Sequence, residues 1–147
     1  MFTQTVEYAL RALVALAAQP DTPQTTRGLA KVTKVPAPYL SKVLQLLTRA
    51  ELVLAHRGVR GGFSLGRPAD EITILEAVTA VDPIQRIKTC PLGLKAHGKH
   101  LCPLHKKMDA ALAEVEAAFG STTLADVLAE PTRSVPLCPF PRVAKPA

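Results

Sequence analysis

The segment from residue 25 to residue 65 constrains the fold more than any other part of the chain. Two short stretches with apolar residues at helical spacing are separated by the turn sequence Lys34-Val35-Pro36. The glycine-rich stretch Arg57-Gly58-Val59-Arg60-Gly61-Gly62 follows between two β-prone runs, which predicts strands near 52–57 and 62–66. Helix, turn, helix and hairpin in this order predict a helix-turn-helix followed by a β wing.

Helical spacing also explains most of the remaining chain. Hydrophobic residues make up 48% of the sequence and aromatic residues only 4%, a composition that favours closely packed helices. Thr73 and Glu76 form a capping-box pattern, and Pro103 suits the first turn of a long helix. The predicted helices span 3–18, a short segment capped by Thr25 or Thr26, 38–49, a segment from Thr73 to about Val81, 103–119, and 123–129 with Thr122 as its cap.

The predicted helix 103–119 carries an apolar stripe that needs a partner. Its members are Leu104, Met108, Ala111, Leu112, Val115 and Phe119. The first four helices already supply a core of the size expected for 147 residues, so we expect the stripe to pair with a second copy of the chain. The alternative is that the helix packs on its own domain. The predicted fold class is therefore mainly α, a winged helix-turn-helix domain with a small two-stranded β wing plus a long dimerisation helix.

The charge of the chain favours DNA as its partner. Lys and Arg outnumber Asp and Glu by 18 to 12, which gives a formal net charge of +6. In a helix-turn-helix the second helix enters the major groove and the first crosses the backbone, while arginines on a slim hairpin tip can reach the minor groove. Within the tip we assign Arg57 to the minor groove and Arg60 to phosphate. The predicted DNA-binding residues are Thr25, Thr26, Lys31, Tyr39, Ser41, Lys42, Gln45, Arg57, Arg60 and Gly61.

Cysteine and histidine cluster between residues 90 and 105. The window contains Cys90, His97, His100, Cys102 and His105. Four interpretations stay open: a zinc site, an iron–sulfur cluster, a disulfide between Cys90 and Cys102 that acts as a thiol switch, or a plain basic loop. Three cysteines in a chain without a recognisable secretory signal indicate a reducing cytoplasm.

Three motifs resemble those of the bacterial Rrf2 (Rrf-two) family of winged-helix regulators. They are Thr5-Val6-Glu7-Tyr8-Ala9-Leu10-Arg11-Ala12-Leu13, Pro38-Tyr39-Leu40-Ser41-Lys42-Val43-Leu44 and Arg57-Gly58-x-x-Gly61-Gly62-Phe63-x-Leu65. The resemblance runs from residue 1 to about residue 129. It implies a homodimeric transcription factor with a crossed long helix, in which Tyr39, Ser41 and Lys42 face the groove and Arg57 enters the minor groove.

The sensor loop departs from the family pattern. Cluster-binding members have three cysteines there; Cys90 and Cys102 match the outer two, whereas Ala96-His97 stands where the middle one is expected. His105 matches a histidine ligand of some members, and Glu7 matches an acidic ligand on the first helix of others. The metal-binding candidates, for zinc or a two-iron two-sulfur cluster, are therefore Cys90, Cys102, His105 and Glu7. Cys90 and Cys102 are also the candidate redox pair.

These observations predict a dimeric, sequence-specific DNA-binding transcriptional regulator, a repressor that responds to redox state, nitric oxide or an iron–sulfur cluster. It would bind a pseudo-palindromic double-stranded operator in the bacterial cytoplasm, associated with the nucleoid and not with a membrane. The alternative is a cluster-free winged-helix regulator or an architectural DNA-binding protein, with a thiol switch or no sensor. An enzyme is not expected, because the sequence has no nucleophile–base motif, phosphate loop or paired carboxylates.

The predicted divisions of the chain follow from this function. They are a winged helix-turn-helix domain over 1–83, a sensor loop over 84–102, the dimerisation helix and a short C-terminal helix over 103–129, and a proline-rich disordered tail over 130–147.

Overall fold

The computed structural model describes residues 2–97 and 100–130. Its helices are α1 (Gln4–Ala18), α2 (Thr26–Thr33), α3 (Ala37–Arg49), α4 (Ile74–Val81), α5 (Pro103–Gly120) and α6 (Leu124–Ala129). Strands β1 (Val53–His56) and β2 (Gly62–Leu65) form a hairpin, and single 3-10 turns lie at Ala69–Glu71 and Lys95–His97. The mainly α fold with a two-stranded wing is thus confirmed. The predicted disordered tail, including Cys138, lies outside the described residues from 131 onward.

The hydrophobic core forms around α1, which packs against α2, α3, α4 and α6. Its largest fully buried side chains include the leucines Leu13, Leu16, Leu29, Leu40, Leu44 and Leu47. Burial of one leucine side chain contributes about 2 kcal/mol, so this cluster supplies much of the energy that holds the first three helices together. The apolar face predicted for α3 is the buried one.

Threonine side chains fix the start of four helices. Thr3, Thr25, Thr73 and Thr123 each accept a hydrogen bond from a backbone N–H three residues on. The predicted capping box of Thr73 and Glu76 is present. The prediction of Thr122 as the last cap is wrong: Thr123 and Asp126 form a second capping box, while the Thr122 hydroxyl donates to the Ala118 carbonyl at 2.9 Å. A side-chain acceptor at the third helical position completes the box: Asp126 occupies that position for Thr123, whereas Thr122 would have Ala125 there.

The hairpin is shorter than predicted and is attached to the segment before α2. Val53 lies opposite Leu65 and His56 opposite Gly62 in an antiparallel pair. Gln24 and Phe63 exchange two backbone hydrogen bonds of 2.8 Å each. A Cβ atom on Gly62 would lie 2.7 Å from the carbonyl oxygen of Gln24, so this close approach requires glycine. The base of the wing is therefore tied to the start of the helix-turn-helix.

Helix α5 has no fully buried residue, unlike the long helices α1 and α3. Its position therefore depends on contacts other than core packing. Arg86, in the segment between α4 and α5, donates to both carboxylate oxygens of Asp109 at 2.7 and 2.8 Å and to Glu116 at 3.0 Å. The hydrogen bonds from Arg86 lower the pKa of Asp109 to about 2. Helix α6 then returns to α1, where Leu124 is fully buried. We refer to α1–α4, the hairpin and α6 as the body.

Candidate nucleic-acid interface

The turn between α2 and α3 has a fixed geometry. Lys34 follows α2 in a left-handed conformation with φ of 57°, which is uncommon for a residue other than glycine and reverses the chain. Leu29, Val35 and Leu40, from α2, the turn and α3, are all buried in one cluster. Because apolar side chains from both helices and from the turn share this cluster, α3 has a defined orientation relative to α2.

The outward face of α3 carries the four residues predicted to read DNA. Tyr39, Ser41, Lys42 and Gln45 are all exposed, whereas Leu40, Val43, Leu44 and Leu47 face the core. The exposed set combines two hydroxyls, one amide and one ammonium group, which can hydrogen-bond to base edges and phosphates. This arrangement suits insertion of the first half of α3 into a major groove.

The start of α2 offers groups suited to phosphate. Thr25 is exposed, and its hydroxyl oxygen accepts from the Gly28 N–H at 3.0 Å, which leaves the hydroxyl hydrogen able to donate to an anion. Thr26 is half-buried in the first turn of α2, and Lys31 is exposed near its end. Backbone N–H groups at a helix N-terminus also favour phosphate.

The tip of the wing presents its two arginines to solvent. Arg57 and Arg60 are exposed; Arg57 directly precedes, and Arg60 lies within, a turn closed by a hydrogen bond of 2.9 Å from the Gly61 N–H to the Gly58 carbonyl. A Cβ atom on Gly61 would lie 2.6 Å from the carbonyl oxygen of His56, so the turn excludes larger residues there. The structure therefore gives Gly61 a role in shaping the tip.

Two polar residues next to the tip of the wing were not predicted from the sequence. His56 and Ser64 lie on the same face of the hairpin, and His56 Nε2 is 2.7 Å from Ser64 Oγ. Side chains alternate between the two faces of a strand, so the placement of both residues on one face follows once the register of the hairpin is known. The sequence alone does not give that register.

The cations of this face are available to an anionic partner. The ion pairs found within residues 2–97 and 100–130 involve Arg11, Arg67 and Arg86 as cations. None of them involves the cations predicted to contact DNA, which are Lys31, Lys42, Arg57 and Arg60. Binding of phosphate therefore does not require these four side chains to break an ion pair seen here.

The predicted sensor residues come together only in part. Cys102 precedes α5, and its Sγ atom is 3.3 Å from Nδ1 of His105 one turn on. Cys90 is buried, and the Glu7 carboxylate accepts a hydrogen bond from Arg11 Nε at 3.0 Å. In the part of the chain that the structure describes, no group of three His, Cys, Asp or Glu side chains could hold a metal ion. Among the described residues, Cys102 and His105 are thus a pair without a third ligand.

A helix-turn-helix with an exposed polar reading face, followed by a wing that carries two exposed arginines, defines a winged-helix DNA-binding protein. The model of the Rrf2 family, described as an iron-dependent transcriptional regulator, matches residues 2–130. A relative from Aquifex aeolicus, described as an HTH-type transcriptional regulator, is 32% identical over 131 residues, which cover 87% of this chain and 91% of that protein. The chain belongs to the Rrf2 family of DNA-binding transcriptional regulators.

Solved structures support the fold. The cysteine regulator CymR of B. subtilis superposes with a TM-score of 0.72 at 23% identity, covering 86% of this chain and 95% of CymR. IscR of T. potens gives a TM-score of 0.72 at 21% identity, covering 87% of this chain and 85% of IscR. At these identities the similarity concerns the fold alone. Among the described residues, no helix is both long enough and apolar enough to cross a bilayer.

The donors that the described part of the chain brings together do not fit the iron that the family description implies. Cys102 and His105 supply two ligands, and Glu7 is engaged by Arg11. The sequence has Ala96-His97 where a middle thiolate is expected in cluster-binding relatives. Iron–sulfur clusters are usually held by four ligands, mostly thiolates, which exceeds what these positions provide.

Proposed function

We propose that this regulator is a homodimeric repressor that binds a pseudo-palindromic operator. The outward face of α5 is the observation that carries the proposal. Leu104 is 64% exposed and Met108 49% exposed, which is unusual for large apolar side chains on a long helix. Leu104, Met108, Ala111, Val115 and Ala118 follow one another at alternating intervals of four and three residues. That spacing is typical of a helix that packs against a second helix along a coiled-coil seam.

The adjoining face of α5 already contacts its own body. Leu112 lines a cleft with Val6 and Val78, as does Val115 at the border with the outward stripe, and the rings of Phe119 and Phe2 lie 5.4 Å apart between centroids. Because the inward face is in use, the outward stripe is the surface left for another subunit. A second copy of the chain presents the same stripe and would cover it symmetrically.

Dimerisation would place two reading helices on one side of the DNA. We assign Tyr39, Ser41, Lys42 and Gln45 to the major groove, and Thr25, Thr26 and Lys31 to phosphates. Arg57 would enter the minor groove and Arg60 would contact phosphate, with Gly61 shaping the tip. Half-sites about 34 Å apart along the duplex would match this two-fold symmetry. A dimer bound at a promoter blocks transcription by occupancy, which makes repression the simplest outcome, and its DNA target would place it at the nucleoid in the cytoplasm.

We propose a thiol-based signal in place of a metal cluster. Cys102 with its neighbour His105 lies directly before the helix that we assign to dimerisation, so a change at this thiol would act on the start of α5. A peroxide could join Cys90 and Cys102 as a disulfide, and the two thiol protons would leave with the peroxide oxygens as two water molecules. Serine substitution of both cysteines should then remove the response of DNA affinity to oxidant.

In vitro selection from a random duplex pool, followed by titration of the full chain, tests the DNA-binding proposal. We expect a two-fold symmetric consensus, bound about a thousandfold more tightly than random duplex at equal salt. Equal affinity for both duplexes would contradict sequence-specific binding and would favour the alternative of an architectural DNA-binding protein. A monomer mass at micromolar concentration would contradict the dimer.

Anaerobic purification followed by an absorbance scan from roughly 300 to 600 nm tests the cluster-free proposal, because iron–sulfur clusters absorb in this range. We expect a colourless protein without iron. A bound cluster would overturn the thiol mechanism and would point to ligands contributed by both subunits.

A further inference from the structure

Arg11 makes three contacts through one guanidinium group and so connects α1 to α2. Its Nε atom donates to Glu7 at 3.0 Å on the same helix, and its Nη1 atom donates to the carbonyl oxygen of Thr33 at 3.3 Å. Its guanidinium carbon also lies 5.7 Å from the centroid of the Tyr8 ring. Arg11 therefore contacts the first helix, the last residue of α2 and an aromatic side chain at once.

The contacts of Arg11 with Thr33 and with Tyr8 both connect it to the helix-turn-helix. Thr33 ends α2, and a cation is favoured at its carbonyl because this is the negative end of the helix dipole. The turn to α3 begins at the next residue, Lys34. The ring of Tyr8 in turn lies 6.4 Å from the ring of Tyr39, tilted by 57°. Tyr39 is in the first turn of α3, at the leading end of the reading helix.

The contact with Glu7 does not by itself explain these features. The Glu7 side chain is 58% exposed, and ion pairs at such positions contribute little to stability. Glu7 engages Nε, while Nη1 donates to the Thr33 carbonyl and the guanidinium carbon lies over the Tyr8 ring.

We propose that Arg11 is a positioning residue for DNA recognition. It fixes the turn between α2 and α3 through the Thr33 carbonyl and, through Tyr8, holds Tyr39 where α3 meets DNA. The inference rests on the proposed assignment of Tyr39 as a DNA contact. Arg11 acts through these two partners and needs no DNA contact of its own.

The composition of the chain allows a direct spectroscopic test. Tyr8 and Tyr39 are its only tyrosines, so full-length protein labelled with 3-fluorotyrosine gives fluorine NMR signals from this pair alone. Tyr8→Phe assigns the two signals. Arg11→Met removes the charge and all donors at similar length, and Arg11→Lys retains the charge without the planar fork.

Arg67→Met is a matched control. Arg67 also pairs with a carboxylate, Glu76 Oε1 at 2.6 Å, and donates to a backbone carbonyl, that of Glu71 at 3.2 Å. It makes these contacts in the segment that joins β2 to α4, so its loss removes the same kinds of interaction without touching either tyrosine.

We expect Arg11→Met to move the Tyr39 signal in the free protein and to weaken binding to the selected operator about tenfold, the size of one good specific contact. Arg11→Lys should give the same changes at reduced size, about threefold in affinity, because the fork is lost but the charge remains. Arg67→Met should leave both signals in place and change affinity by less than about twofold.

Several results would overturn the proposal. They are unchanged operator affinity in Arg11→Met, weakened binding with both fluorine signals unmoved, or an equal loss in Arg67→Met. If Arg11→Met does not fold, Arg11→Lys tests the proposal by the same two measurements, the Tyr39 fluorine signal and the operator affinity. If the wild-type protein shows no preference for any operator, sequence-specific regulation fails, whereas the Tyr39 signal in Arg11→Met still decides the positioning role.

Discussion

The body and α5 are held in place by different kinds of interaction. In the body, α1, α3 and α4 each bury several apolar side chains completely, and α6 buries Leu124. The 18 residues of α5 include none that is fully buried, and a cleft of about 290 Å³ lies beside its inward face, next to α1 and α4. Arg86 connects the preceding segment to α5 through Asp109 and Glu116. The body thus has the interactions of an independent domain, whereas in our proposal α5 buries its outward stripe against a partner.

The largest expected effect tests whether that partner is a second copy. Met108→Glu places a charge in the outward stripe, and we expect a monomer by light scattering after gel filtration. Operator affinity should fall at least about 100-fold, because the two half-sites are no longer bound by one linked molecule. The circular dichroism of the body should not change.

Ala110→Glu is the matched control for this substitution. Ala110 is exposed on the same helix but lies outside the stripe. The Ala110→Glu protein should therefore stay dimeric. A Met108→Glu protein that stays dimeric would show that another surface holds the subunits together.

The next effect concerns the stability of the body. Leu44 is fully buried between the helices, so Leu44→Ala should reduce the free energy of unfolding by about 3 kcal/mol. Met108→Ala removes a side chain that is half exposed and should have a much smaller effect on the unfolding of the body. Urea titration followed by circular dichroism at one protein concentration measures both. Similar losses for the two variants would contradict the distinction between the body and α5.

Substitutions of the two wing arginines should differ in the kind of binding loss that they cause as well as in its size. Arg57→Ala should weaken operator binding about tenfold or more without unfolding the protein, because a groove contact depends on sequence. Arg60→Ala should weaken binding to operator and random duplex alike and reduce the salt slope by about one, as expected for a phosphate contact. Gel-shift titrations between about 50 and 200 mM salt separate these outcomes. Equal behaviour of the two variants would remove our distinction between them.

The sequence predicted the elements whose signals are local. The apolar spacing of α3, the capping box at Thr73 and the proline at the start of α5 each depend on residues within a few positions. Cys102 and His105 belong to the same class, since a spacing of three places them on one side of a helix.

Contacts between distant segments could not be predicted in this way. The bridge between Gln24 and Phe63 and the bond between Arg86 and Asp109 join residues that only the folded chain brings together. The same is true of Tyr8 and Tyr39, whose contact depends on how α1 crosses α3. The ion pair between Glu7 and Arg11 has a local spacing of four residues and could have been predicted, whereas the resemblance to cluster-binding relatives implied only a ligand role for Glu7.

The smallest expected effect concerns the charged contact that positions α5. Hydrogen bonds from Arg86 lower the pKa of Asp109 from 3.8 to about 2. A carboxyl group whose pKa is lower in the folded than in the unfolded protein stabilises the fold at pH values above its unfolded pKa. This stabilisation is lost as the pH falls through its folded pKa. The contact between Arg86 and Asp109 should therefore persist at neutral pH and weaken only between about pH 4 and pH 2. Carbon NMR of the Asp109 carboxyl should show a midpoint near 2 in the wild-type protein and a clearly higher midpoint in Arg86→Met, which keeps only the hydrogen bond from the Ile87 N–H. A wild-type midpoint near 3.8 would mean that Arg86 does not hold α5, and the packing of its inward face would then have to position the helix unaided.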